Sequence, residues 1–205
     1  MCRLYDVTDG EILINGVNIK DYTRDSIVKL YSVVFQDFKI FSVSLKDNVC
    51  ANTDFEGDRF YACLENANIK DRAERLPNKE NTYLYKDLDK SGVEISGGEA
   101  QKIALTRALY KDAPIVVLDE PTAALDPIAE NELYLKYNEM TDNKISFFIS
   151  HRLSSTRFCD RILFIKDGRV AESGTHEELM ALKGAYYRMY QIQSYYYKEN
   201  GGEAV

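Results

Sequence analysis

Ile95-Ser96-Gly97-Gly98-Glu99-Ala100-Gln101, leading into an apolar helical stretch, is the segment whose reading organises the rest of the chain. Ser96 and Glu99 have the three-residue spacing of a capping box, which predicts a helix that starts here. Two glycines directly after the cap let another group approach the backbone closely. The free N–H groups of a helix N-terminus attract anions. The segment is therefore suited to touch phosphate, although Ser-Gly-Gly alone favours a plain capped helix.

Outward from this point the pattern alternates. Ile115-Val116-Val117-Leu118 is a continuous apolar run after Pro114 and ends in Asp119-Glu120-Pro121. Ile145 to Ile149 and Ile162 to Ile165 are two further strand-like runs, and Val170 to Ser173 follows an Asp167-Gly168 turn. Helical patterns precede the first run and separate it from the second. Such alternation implies an α/β fold with a mostly parallel sheet covered on both faces. Upstream, Glu11 to Gly16 closes on an Asn-Gly turn signal and predicts a hairpin with Val17 to Ile19. Lys29 to Gln36 reads as a strand. From about Ser44 to Leu76 the pattern is helical, with Phe60, Ala62, Cys63, Leu64, Ala67 and Ile69 on one apolar face. Glu177 to about Tyr197 reads as a terminal helix around which no internal repeat is visible.

Composition excludes several classes. The 205 residues are 45% apolar and 29% charged with a net charge of −7, which is ordinary for a globular domain and argues against nucleic acid as a partner. No apolar run reaches the ~18–20 residues that span a bilayer, and the first residues lack the apolar core of a signal peptide. Cys2, Cys50, Cys63 and Cys159 are scattered without a C-x-x-C pair, so free thiols are expected rather than zinc or disulfides.

The acids at the end of Ile115–Leu118 fall at the C-terminal edge of a predicted buried strand, where open α/β sheets bind ligands. Asp119 there suits Mg²⁺ and Glu120 an attacking water, while a solvated turn explains the same letters. His151 follows the next strand in the same way. A lone histidine is more often structural, and its place after a second strand is what raises it. His176, between Thr175 and Glu178, sits inside a second capping box and reads as structural.

Order and spacing together resemble the ATP-binding domain of the ABC transporter family. Ile95 to Gln101 resembles the signature Leu-Ser-Gly-Gly-Gln, Ile115 to Glu120 the Walker B strand, and Ala124-Leu125-Asp126 the D-loop. His151 resembles the switch histidine, and Phe35-Gln36-Asp37 the Q-loop, with Gln36 its glutamine. The resemblance implies a P-loop NTPase (RecA-like) core with an α-helical subdomain. It divides the chain into 1–36 (core remnant with hairpin and Q-loop strand), 37–108 (helical signature subdomain), 109–185 (core) and 186–205 (C-terminal helix and tail). It also implies ATP and Mg²⁺ as cofactors and a head-to-tail pair of ATPase domains, homo- or heterodimeric. Ser96, Gly97, Gly98 and Glu99 would then form the nucleotide-binding segment. Asp119 and Gln36 would hold Mg²⁺, Glu120, His151 and Gln36 would act in hydrolysis, and Asp126 would report across the dimer.

The sequence departs from the family pattern in one large respect: no G-x-x-x-x-G-K-[ST] stretch occurs. The Walker A strand, its lysine and the aromatic that stacks on adenine are expected to be missing. The chain therefore reads as a fragment of a longer protein, or as a gene start placed at an internal methionine. The missing strand is expected between the strand ending at Ser150 and that of Ile162–Ile165, leaving a gap or two unpaired edges. Glu99 for glutamine and Ala123-Ala124 for Ser-Ala are smaller departures.

Sixty positions separate Gln36 from Ser96, too few for the coiled-coil hairpin of chromosome-organising relatives. Phe38 to Ser42, Leu45 to Val49, and Val93-Glu94 resemble exporter half-transporters. This implies a transmembrane domain as partner and a place at the cytoplasmic face of the cell membrane. An alternative of another class is a non-catalytic ABC subunit or relic that serves as a binding module for a partner ATPase domain.

Overall fold

The computed structural model describes residues 2–51, 53–121, 137, 141 and 143–200. They form two compact units, Met1–Ile149 and Ser150–Val205.

The first unit opens with the expected hairpin. Strands β1 (Leu13–Ile14) and β2 (Val17–Asn18) pair antiparallel around Asn15 and Gly16, whose φ values of 51° and 79° are the left-handed pair that a two-residue hairpin turn demands. Helix α1 (Arg24–Leu30) follows, capped by the Thr23 side chain. The strand expected from Lys29 starts later, as β3 (Tyr31–Val34): Lys29 and Leu30 complete the last turn of α1, and the Tyr31 N–H closes it on the Val28 carbonyl.

Strand β4 (Ile115–Asp119) pairs in parallel with β3 on one side and with β5 (Ile145–Ile149) on the other. Its first four residues are apolar, as burial on both faces of a parallel sheet requires, and Ile115, Val116 and Leu118 are buried. Ile19, Ile27 and Tyr31 close over Ile115 to form one core cluster. Strand β5 has no ladder partner beyond β4 among the described residues, and its end residues Ile145 and Ile149 are 60% and 51% exposed.

Between β3 and β4 lie the helices α2 (Leu45–Cys50), α3 (Gly57–Asn66), α4 (Lys70–Glu74) and α5 (Gly97–Lys111). Phe60 and Leu64 of α3 are wholly buried and Cys63 is nearly so. Ala62, expected on the same face, is exposed because it points away from the Phe60–Leu64 side of the helix. The helix also stops at Asn66. Asn68 turns through a left-handed φ of 55°, which brings Ile69 back to the core by a bend rather than by helical period. Tyr110, fully buried, donates to the Asp54 carbonyl at 2.6 Å and accepts from the Glu56 N–H at 2.8 Å, joining the end of α5 to the start of α3.

The second unit holds strands β6 (Ile162–Lys166) and β7 (Arg169–Gly174), paired antiparallel through the Asp167-Gly168 turn. Strand β7 is the strand expected after that turn, and β6 has no other ladder neighbour among the described residues. The terminal helix is also two helices, α6 (His176–Leu182) and α7 (Ala185–Asn200). Lys183 adopts a left-handed φ of 53° and Gly184 follows it, which ends α6. Thr175 and Glu178 form the expected capping box. His176 is buried and its Nδ1 lies 2.8 Å from the Tyr186 hydroxyl, which also meets Thr156 at 2.7 Å. Burial, with Arg157 nearby, lowers the His176 pKa, as a structural neutral imidazole requires.

All four cysteines are free thiols. No helix among the described residues is long and apolar enough to cross a membrane.

Replacing Phe60, which has no exposed surface, by Ala is expected to cost about 3–5 kcal/mol. Ala62→Ser is expected to stay within about 0.5 kcal/mol. Urea unfolding of the two variants measures the contrast.

Candidate functional site

Two strand ends assemble the acidic part of the site. In the β3–β4 ladder Val34 pairs with Leu118. Gln36 and Glu120 each lie two residues beyond that pair, so the register brings together side chains 84 positions apart. The Gln36 Nε2 donates to the Glu120 Oε2 at 2.9 Å. The Glu120 N–H donates to the Ile149 carbonyl at 2.9 Å, which anchors it on the neighbouring strand. Glu120 holds this position with φ at 47°, a left-handed conformation that disfavours a non-glycine residue.

Asp119 ends β4. Burial, and then the carboxylates of Glu120 and Asp37, raise its pKa above the ordinary 3.8. Asp37 is thus a third acid in this field. The Gln-Asp pair at 36–37 carried that signal in sequence, but the spacing did not reveal that Asp37 acts on Asp119. No group of three or more His, Cys, Asp or Glu among the described residues is arranged to hold a metal. One or two carboxylates are what Mg²⁺ ordinarily takes from protein, with water and phosphate oxygens completing its shell, so this donor chemistry fits that ion.

The second part is the N-terminus of α5. Ser96 accepts from the Glu99 N–H at 3.3 Å, and Glu99 accepts from the Ser96 N–H at 2.7 Å. Both halves of the capping box are present, as its sequence spacing predicts. Gly97 and Gly98 face open space: a side-chain carbon built on either would meet nothing within 4 Å. The Glu99 carboxylate is itself engaged. Besides the cap it accepts from Arg72 Nε at 2.6 Å. The Ser96 N–H, and then Arg72, hold its pKa below the ordinary value against the opposing effect of burial.

Helix α5 ties the two parts together. Arg107 donates to the Asn48 carbonyl at 2.7 Å and to the Lys39 carbonyl at 3.1 Å, and its guanidinium lies 5.6 Å from the Phe41 ring centroid. This fixes the segment that follows Gln36. The Gln101 Nε2 donates to the Pro121 carbonyl, directly after Glu120. Sequence reading named neither residue's role. A glutamine among Ala100, Ile103 and Ala104 of a buried helix was the available signal.

His151 lies in the second unit, two positions after the end of β5. It is exposed, and its carbonyl accepts from Gln193 Nε2 at 2.7 Å. Asp126 and the rest of Ala124-Leu125-Asp126 lie outside the described residues.

A three-stranded parallel sheet, an inserted helical region, and a glycine-opened helix terminus tied to strand-end carboxylates define the fold of an ABC ATPase. Residues 1–123 match the ABC transporter family, and the chain belongs to it. The ATP-dependent lipid A-core flippase of Mannheimia succiniciproducens is 35% identical over 193 residues, covering 93% of this chain and 32% of the flippase. The subtilin transport ATP-binding protein SpaT of Bacillus subtilis is 36% identical over 197 residues, covering 94% of this chain and 32% of its own length. A solved bacterial Atm1-family ABC exporter with ATP bound superposes with a TM-score of 0.86 at 32% identity, covering 94% of this chain and 34% of that one. The chain thus spans about a third of the length of these relatives.

Glu99→Gln tests the cap charge. With its pKa depressed below the ordinary 4.5, the ionised carboxylate stabilises the fold above pH 4.5, and this is lost as pH falls through the folded-state value. The variant is expected to be less stable at pH 7 by about 1 kcal/mol. Thermal melts should show the gap from the parent closing as pH falls toward 4.

Proposed function

We propose that this chain works as the ATP-hydrolysing domain of an ABC exporter and completes its site against a second ATPase domain. The observation that carries the reading is the Gln36–Glu120 contact at the edge of the parallel sheet, in the same unit as a glycine-opened helix terminus. Gly97 and Gly98 offer backbone N–H groups, and Ser96 a hydroxyl that here donates to the Glu99 carboxylate at 2.9 Å, to the γ-phosphate of ATP held by the facing domain. Glu99 serves this surface indirectly, by fixing the first turn of α5 and binding Arg72.

Glu120 takes the role of general base for the attacking water. Gln36 orients the Glu120 carboxylate through its amide, and Asp119, with Gln36, is the position for Mg²⁺. The ion, when bound, neutralises phosphate charge. His151 contributes the switch contact to the γ-phosphate, and Asp126 the contact across the domain pair. The helical residues 37–108 form the subdomain that meets a transmembrane domain, at the cytoplasmic face of the membrane. The similarity to a flippase, a subtilin transport protein and an Atm1-family exporter supports the assignment to export.

The 205 residues include no Walker A stretch, so the test supplies one in trans. This chain is mixed with an exporter ATPase domain that has an intact phosphate loop and a disabled signature serine. Hydrolysis is expected only in the mixture. Ser96→Arg is expected to abolish it. Glu120→Gln is expected to lower the turnover that this chain's own carboxylate supports by about 10²–10⁴-fold. Hydrolysis insensitive to both substitutions sinks the proposal.

A further inference from the structure

We propose that Gln101 is a positioning residue for Glu120, and that through it the phosphate-facing end of α5 is mechanically joined to the general base. This rests on the role given to Glu120 above.

Three observations converge. First, Glu120 is held in a left-handed backbone conformation with φ at 47°. A non-glycine residue stays there only when its surroundings over-determine it. Secondly, two backbone contacts enclose that residue. Its own N–H is bonded to the Ile149 carbonyl at 2.9 Å, and the carbonyl of the next residue, Pro121, accepts from the Gln101 Nε2. Thirdly, Gln101 is only 6% exposed, and its Oε1 is buried with no hydrogen-bond partner among the described residues.

The third observation separates positioning from packing. An amide buried with one unmet acceptor is a poor way to fill space among Ala100, Ile103 and Ala104. An apolar side chain of the same length would serve stability at least as well. What the amide supplies, and an apolar side chain cannot, is the donor to Pro121. Gln101 sits five residues after Ser96 on one continuous helix. A shift of the α5 N-terminus when a phosphate is engaged would therefore be passed to the carbonyl beside Glu120. The coupling element is a rigid helix with one polar side chain.

Gln101→Met keeps the length and removes the donor. Hydrogen exchange on the full chain reads the Glu120 amide directly. The expected result is exchange about tenfold faster at Glu120, with unchanged protection in α5 and a midpoint of unfolding equal to or above that of the parent. Gln101→Asn, too short to reach Pro121, is expected to loosen the same amide. In the trans-complemented hydrolysis assay, Gln101→Met is expected to lower kcat about tenfold and leave KM for ATP unchanged.

Unchanged exchange at Glu120 in Gln101→Met overturns the proposal. So does a loss of cooperative unfolding in both variants, because that is the mark of a packing role. The exchange measurement needs no ATPase activity. A loosened Glu120 in a mixture where even the parent chain fails to hydrolyse ATP would sink the proposed function and leave the positioning role standing.

Discussion

The burial of α5 is the constraint on which the first unit depends. Along its length Ala100, Ile103, Ala104, Leu105, Ala108 and Tyr110 are buried, and it packs on α2, α3 and β3. A helix clamped on so many sides cannot tilt without disturbing the helical region and the sheet together. Its polar side chains use that rigidity. Arg107 holds the segment after Gln36, Gln101 the segment after Glu120, and Lys111 Nζ the Val28 carbonyl at the end of α1 at 2.7 Å. The catalytic geometry proposed for Gln36 and Glu120 is thus referred to one helix, whose free end is the glycine-opened terminus.

Much of this was legible in the sequence because it rests on short-range rules. The Ser96–Glu99 and Thr175–Glu178 capping boxes are local hydrogen-bond patterns, and both formed. The apolar run before Asp119 announced a strand paired on both sides, and the Asn15-Gly16 turn announced its hairpin. Where reading failed, a competing local choice had won. Lys29 and Leu30 suit a strand by composition, but Thr23 caps a helix that runs through them. Ala62 matched an apolar pattern because alanine is too small for its letter to reveal which side of a helix it faces. The break at Lys183 lies in a left-handed residue that carries no side-chain signal for that conformation.

The candidate site divides in the same way. Each strand-end residue could be named from sequence, but the meeting of Gln36 with Glu120 is a product of ladder register, which links positions far apart. Glu99 shows the opposite case. Its place in the signature-like segment suggested nucleotide contact, whereas the structure engages its carboxylate with the cap and with Arg72. The Arg72–Glu99 pairing joins α4 to α5 through residues 27 positions apart, and no periodicity within either helix announces it.

Electrostatics explain why an acidic chain can carry the proposed phosphate-facing site. The net charge of −7 is a property of the whole surface, whereas an anion beside Gly97 and Gly98 meets local N–H dipoles at short range. The carboxylates lie at the other end of the same tether. Burial, and then the carboxylates of Glu120 and Asp37, raise the Asp119 pKa. Holding the buried Asp119 carboxylate ionised beside these acids is unfavourable to the fold on its own. That cost is relieved by a positive charge or by a donor that faces the acids. The Gln36 amide already supplies one such donor to Glu120, so the remaining demand falls on Asp119. In the proposed site a cation at Asp119 would offset that cost, while the Gln36 amide holds the Glu120 carboxylate. The two acids therefore meet different environments, although they are adjacent in sequence.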